Sequence, residues 1–325
     1  LPRLEPNHSE RTLGVMLAPL ENQQAQIAHL KAKAVEWAEE LRPDNLHRYD
    51  VIPLLKTTIM KSLEYPMALT TFDEKTWLSI LSPILQVCLP KAGICRSFPR
   101  AVVLAPLQLQ GLGIPHPSGL QIFHHLEMLL RHSANKTRTN TYLDAVIQAH
   151  QLETGTSYGL LQQDYQNTAI LTSETWLKRV WKELESVNAY VAFDTPVLTL
   201  QCERDSLLME LFMDAEVDQD VLKWTNWCRM YLQVCTVSDL LTADGKHIRR
   251  SVWEGKRDDT FASPYQWPRT IRPTSQHWQQ WQLLLSSLLL SAHGYHHPLR
   301  QPLGRWSDDL GRWNWLYSPS MELLF

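Results

Sequence analysis

The sequence predicts a mainly α protein: a helical bundle followed by a second, tryptophan-rich helical region. Apolar residues recur at three- and four-residue spacing over long windows, which is the spacing of one helix face. X-Pro steps and capping aspartates stand between those windows, where helices end and begin. Of the 325 residues 44% are apolar and 20% charged, enough to bury more than one core.

Within residues 27–41, Ile27, Leu30, Ala34, Trp37 and Leu41 share a face, while Lys31, Lys33, Glu36, Glu39 and Glu40 fall mostly elsewhere. Arg42-Pro43 ends this helix, because a residue before proline is driven out of the helical region, and Asp44 is placed to cap the next start. The second helix turns Ile52, Leu55, Ile59 and Leu63 inward, holds Pro53 in its first turn and stops at Tyr65-Pro66. A third opens at Asp73 and buries Trp77, Ile80, Leu81, Ile84, Leu85 and Cys88, bending at Pro83. Three helices joined by short loops make a small bundle.

Prolines and glycines dominate residues 89–117, within which 101–105 is a short strand or a buried loop. The spacing of Ile122, Leu126, Leu129 and Leu130 restores a helix from Ser118, and the polar run 133–141 reads as a linker. Helical windows follow at 142–150, 173–187, 205–213, 219–232 and 275–291, carrying Trp176, Trp181, Trp224, Trp227, Trp278 and Trp281. Residues 255–273, rich in proline and aromatics without periodicity, read as an irregular arm.

The net charge of −3 excludes a strongly basic chain, but the charge is uneven. Residues 163–220 hold 12 acidic and 4 basic side chains, whereas 221–325 hold 12 basic and 8 acidic, so one part can present a positive face. The five cysteines stand among apolar neighbours without knuckle spacing, which predicts buried, reduced thiols and an intracellular protein, nuclear or cytoplasmic. The longest apolar run, 283–292, falls short of the about 20 residues that cross a bilayer, so no membrane partner is expected. A start at Leu1 and an end at Phe325 after Leu323-Leu324 read as a piece of a longer protein.

Catalytic patterns fail one by one. His124-His125 and the group His293, His296 and His297 lack a metal-binding frame, and no serine or cysteine sits in a nucleophile motif. Gly111-Leu112-Gly113 is too short for a phosphate cradle and reads as a turn. Two-metal nucleotidyl transfer needs aspartates presented on apolar strands. Trp306-Ser307-Asp308-Asp309 lacks such strands and reads as a capped helix start, and Asp258-Asp259 lies in a polar loop.

Thr12-Leu13-Gly14-Val15, the helix after it, Arg48-Tyr49 with Leu54-Leu55, and Leu63-Glu64-Tyr65-Pro66 resemble the palm end and thumb of LINE-type (non-LTR) retroelement reverse transcriptases. Gly111-Leu112-Gly113-Ile114-Pro115 resembles the signature that follows the thumb in that family. A looser likeness to downstream regions of reverse-transcriptase-like proteins covers the stretch from Asn226 to Val234, Ser238-Asp239-Leu240 and the stretch from Asp244 to Ile248. The resemblance implies a residual palm strand in 1–20, a thumb-like helical domain in 21–132 and a carboxyl-terminal extension in 133–325. It also implies that the catalytic aspartates, with their magnesium, belong to a palm and fingers upstream, so no cofactor is expected here. The implied role is grip on an RNA–DNA or DNA duplex and on the RNA template, through cations that neutralise phosphates. Lys56, Lys61, Lys91, Arg96 and Arg100 are the thumb candidates. A second cluster, Lys246, Arg249, Arg250, Lys256 and Arg257 interleaved with Trp253, would hold a single strand by charge and stacking. The alternative is a helical protein–protein interaction domain unrelated to polymerases.

Overall fold

The computed structural model describes residues 5–20, 22–135, 137–192, 198, 200, 202, 204–242, 244–257, 265–303, 317–318 and 323–324. Helix dominates these residues, and the sheets among them are two-stranded. The fold is mainly α. Its chain divides into two compact units, Leu1–Thr141 with Thr175–Leu184, and Tyr142–Glu174 with Glu185–Phe325.

The first unit opens with β1 (Glu10–Thr12) and β2 (Val15–Leu17), antiparallel with Thr12 opposite Val15. Leu13 and Gly14 are therefore the two turn residues, at φ 50° and 89°, the positive pair that a type I′ hairpin turn demands. The single Leu-Gly-Val strand implied by the resemblance is instead a hairpin, because the chain reverses at these two residues. Helix α1 (Gln24–Leu41) buries Gln26, Leu30, Ala34 and Ala38 at every fourth position, and it packs along α3 (Glu74–Lys91). Between them α2 (residues 51–64) runs as Val51–Leu54, a π turn Leu55–Ile59, and Met60–Glu64.

Asp73 caps α3 by accepting the Thr76 amide at 2.8 Å, a bond that holds its carboxyl below the usual range. Asp44 does not cap α2. The loop before that helix is too long, Asp50 takes the cap position, and the Asp44 carbonyl receives Lys91 Nζ at 2.7 Å. Residues 101–105 are neither strand nor plain loop: they hold most of a helical turn, α4 (Arg100–Val103), with Val103 buried.

Helix α5 (Pro117–Ser133) begins with proline at its first position, and the side chains it buries are Gln121, His125 and Leu129. Its buried stripe is thus partly polar, and the partners explain why. Gln121 Oε1 accepts from Trp77 Nε1 at 3.0 Å and from the Phe72 amide at 3.2 Å, while its Nε2 donates to Glu183 at 2.7 Å. Both His125 nitrogens face oxygens, Glu183 Oε2 at 2.8 Å and the Thr70 carbonyl at 2.7 Å.

Helix α6 (Arg138–Thr154) starts inside the run expected to be a linker, because Thr137 Oγ1 accepts the Asn140 amide and caps it. Helix α7 (Trp176–Ser186) buries Leu177, Val180, Trp181 and Leu184, and residues 175–184 belong to the first unit. The expected continuous segment 133–325 is therefore interrupted. The bonds from Gln121 and His125 to Glu183 are what draw that helix in, and they join residues 58 and 62 positions apart.

The second unit gathers α8 (Leu208–Asp214), α9 (Gln219–Leu232) and α10 (Ser275–Leu288) around Met209, Phe212, Cys228, Leu240, Trp281 and Leu285. Asp218 caps α9, and a capping box of Thr274 and His277 opens α10. Among the described residues of the expected irregular arm, 265–273 carry neither helix nor strand.

Candidate nucleic-acid interface

The first-unit cations fall into separate groups. Lys56 rises from the π turn of α2 onto the Gly-Leu-Gly-Ile-Pro loop, where a Cβ placed on Gly113 would lie 3.0 Å from its Nζ. That loop is a turn. Gly113 has φ +64°, a Cβ on Gly111 would strike the Ala105 carbonyl oxygen, and Gly113 N bonds to Ala105 O at 2.9 Å. Lys61 is exposed and ion-paired with Glu64 at 2.7 Å, a surface pair of about 0–1 kcal/mol that a phosphate can displace. Arg100 Nη2 donates to the Arg96 carbonyl at 3.3 Å, and Arg96 itself is exposed.

Lys91 stands at the carboxyl end of α3, where the helix dipole favours cations. Arg48 joins it there, donating to the Ala92 carbonyl at 3.0 Å, with its guanidinium filling the space a Cβ on Gly93 would need. Sequence reasoning noted Arg48 beside Tyr49 but did not count it among the candidates. A glycine at 93, held at φ +75°, is the one sequence signal that a bulky neighbour sits close.

The second cluster does not form an open stacking platform. Trp253 is 9% exposed, packed in the second unit's core, and its carbonyl accepts from Gln282 Nε2 on α10 at 2.8 Å. Val252 is buried beside it, so the short helix Arg250–Trp253 turns its apolar side inward. Arg249 donates to the Asp239 carbonyl. Arg250 and Lys256 both pair with Glu254 at 2.6 Å, which pushes that carboxyl down and the guanidinium up. Lys246 is half-buried in the turn after Asp244, and Arg257 is exposed. The aspartate pairs at 258–259 and 308–309 lie outside the described residues.

The polar residues of the downstream likeness are internal fasteners. Arg229 is completely buried; it donates to Asn226 Oδ1 at 2.9 Å, to the carbonyls of Glu153 and Val234 at 3.2 and 3.3 Å, and to the carbonyl of Leu152. Asn226 Nδ2 adds a bond to the Glu153 carbonyl at 2.8 Å. Asp239 accepts the amides of Cys235 and Thr236 at 2.7 and 2.9 Å, yet its burial pushes the carboxyl up. Burial would also raise Asp244, but bonds from Thr242, the Lys246 amide and His247 hold its carboxyl at about 2. Among the described residues no group of three or more His, Cys, Asp or Glu is placed to hold a metal ion.

Four of the cysteines are buried as expected, and Cys95 is the exception. Burial pushes Cys88 up to about 11 and Cys202 and Cys235 to about 12, and it raises Cys228 as well. Cys95 is exposed in the loop after α3, and its bond with Ser97 Oγ at 3.1 Å lowers it. A maleimide added to native protein at neutral pH is therefore expected to modify Cys95 quickly and the other thiols only after denaturation. Rapid labelling of a second site, located by peptide mapping, would contradict these burials.

Comparison with protein-family models, curated proteins and solved structures finds no match for this chain. Among the described residues no helix is long and apolar enough to cross a membrane.

Proposed function

We propose that the first unit is the palm edge and thumb of a LINE-type reverse transcriptase, and that it grips the template–primer duplex within the intact enzyme. Its partners on this reading are an RNA–DNA or DNA duplex and the RNA template. Nucleotidyl transfer and its magnesium belong to an upstream palm. The observation that carries the reading is contact between the stretches that bear the resemblance. Tyr65 Oη, from Leu63-Glu64-Tyr65-Pro66, donates to the Leu13 carbonyl at the hairpin tip at 2.8 Å. Lys56, just after Leu54-Leu55, lies against Gly113 of the Gly-Leu-Gly-Ile-Pro loop.

The test is fluorescence anisotropy of the purified chain with a labelled RNA–DNA hybrid over a salt series, beside a variant with Lys56, Lys61, Lys91, Arg96 and Arg100 changed to alanine. Binding should weaken as salt rises, and the variant's log–log salt slope should shrink by about 1 for each removed cation that meets a phosphate. Folded protein that fails to bind at low salt, or a variant indistinguishable from wild type, would count against the thumb. A helical protein-interaction domain is the second reading. It is favoured by the exposed Leu13, Leu17, Tyr65 and Leu69, which leave apolar surface around the hairpin and the turn after α2.

A further inference from the structure

The geometry points to a binding site for a small, neutral, planar ligand bearing a carbonyl oxygen, in a cavity of the first unit beside β2. This inference is independent of the polymerase reading. The cavity has a volume of about 220 Å³, and its apolar wall is formed by Met16, Leu17, Leu69, Met128 and Trp176. An engineered apolar cavity of about 150 Å³ already accepts benzene, so this space suits a single substituted ring, not a drug-sized molecule.

Ring chemistry follows from the wall. Two thioethers and an indole surround the space, and both side-chain types favour contact with an aromatic ring. Trp176 is held in orientation by its edge-to-face contact with His125, centroids 5.3 Å apart. Among the described residues no lining side chain carries a charge, which disfavours an ionic ligand.

The carbonyl follows from Gln26. This residue is 1% exposed and lines the cavity, and its Oε1 is committed to the Met16 amide at 2.7 Å. Among the described residues its Nε2 has no hydrogen-bond partner. The residue is almost wholly enclosed, but this nitrogen keeps an accessible edge, where an acceptor on a ligand would meet it. Neighbouring Gln23 does not compete, because both ends of its amide are bonded to Thr71, at 2.8 and 3.1 Å. Thr70 Oγ1 is likewise turned to Gln121 at 3.3 Å.

Titration of the full chain, labelled with ¹³C at the methionine methyls, with 2-pyridone and separately with benzene provides the test. Saturable shifts confined to the Met16 and Met128 methyls are expected, with 2-pyridone binding about threefold to tenfold tighter than benzene, the worth of one net hydrogen bond. Gln26→Glu keeps an acceptor for the Met16 amide but removes the donor, so it should erase the preference for 2-pyridone. Met128→Trp should fill the space and abolish the shift at Met16 for both compounds, and circular dichroism would verify that each variant is folded. Wild-type protein showing no saturable shift with either compound overturns the site. Equal affinity for the two overturns the role given to Gln26, and undiminished binding by folded Met128→Trp overturns the location.

Discussion

Arg229→Ala is expected to destabilise the second unit severely. The guanidinium is fully buried, and burial lowers its pKa, but Cys235 beside it and the carboxylates of Asp239 and Glu153 oppose that shift. An arginine stays charged under any ordinary condition, so its compensation is built from geometry. Its planar fork reaches the Leu152 and Glu153 carbonyls in the last turn of α6, where the helix leaves its final carbonyls unpaired and the dipole is negative. A further nitrogen bonds the Val234 carbonyl just beyond α9, and the Trp267 ring lies 5.6 Å from the guanidinium carbon. Gly155 belongs to the same design, since a Cβ there would come within 2.8 Å of that carbon.

Truncation to alanine leaves buried carbonyls without donors and a void in place of the side chain, a loss of about 3–5 kcal/mol. That is a large share of the stability of a domain, about 5–15 kcal/mol in all. Urea denaturation should show the loss, and hydrogen exchange should show it in α6 and α9. Arg229→Lys retains the charge but not the fork, so it should fall between wild type and alanine. A stability within about 1 kcal/mol of wild type for Arg229→Ala would show that α6 is held by other means.

Trp77→Ala should cost the first unit a similar amount, about 3–5 kcal/mol. Trp77 is completely buried on α3, its ring tilted against Phe72 at 5.1 Å, with Nε1 donating to Gln121. Trp77→Phe separates the two contributions. It retains most of the apolar volume and removes only the indole donor, and Gln121 Oε1 still accepts from Thr70 and the Phe72 amide. The expected cost is therefore about 1–2 kcal/mol. If phenylalanine proves as damaging as alanine, the hydrogen bond to Gln121, not packing, carries the helix contact.

The candidate cations were legible as charges but not as partners. Arg48 reaches the end of α3, where Lys91 stands, because the chain brings the loop before α2 to the Ala92 carbonyl, 44 residues away along the sequence. Trp253 reads as a stacking residue when only its basic neighbours are considered, yet the contacts that bury it come from α10 and the loop beyond it. Gln26 gave no functional signal, because an amide in an amphipathic helix is ordinary until its neighbours leave one end of it without a partner.

Sequence alone determined the mainly α class, the ends of α1 and α2 before Pro43 and Pro66, the Asp73 cap and the bounds of α9. These depend on groups within a turn of one another: a proline ring, a capping oxygen, a run of apolar side chains at helical spacing. Tertiary structure decided what no local pattern contains. It reversed the chain at Leu13-Gly14, drew residues 175–184 into the first unit, left Cys95 exposed and buried Arg229 against carbonyls 76 and 77 residues distant. A buried polar group is stable only where distant backbone and side chains satisfy it, so its place becomes visible only when those partners are assembled.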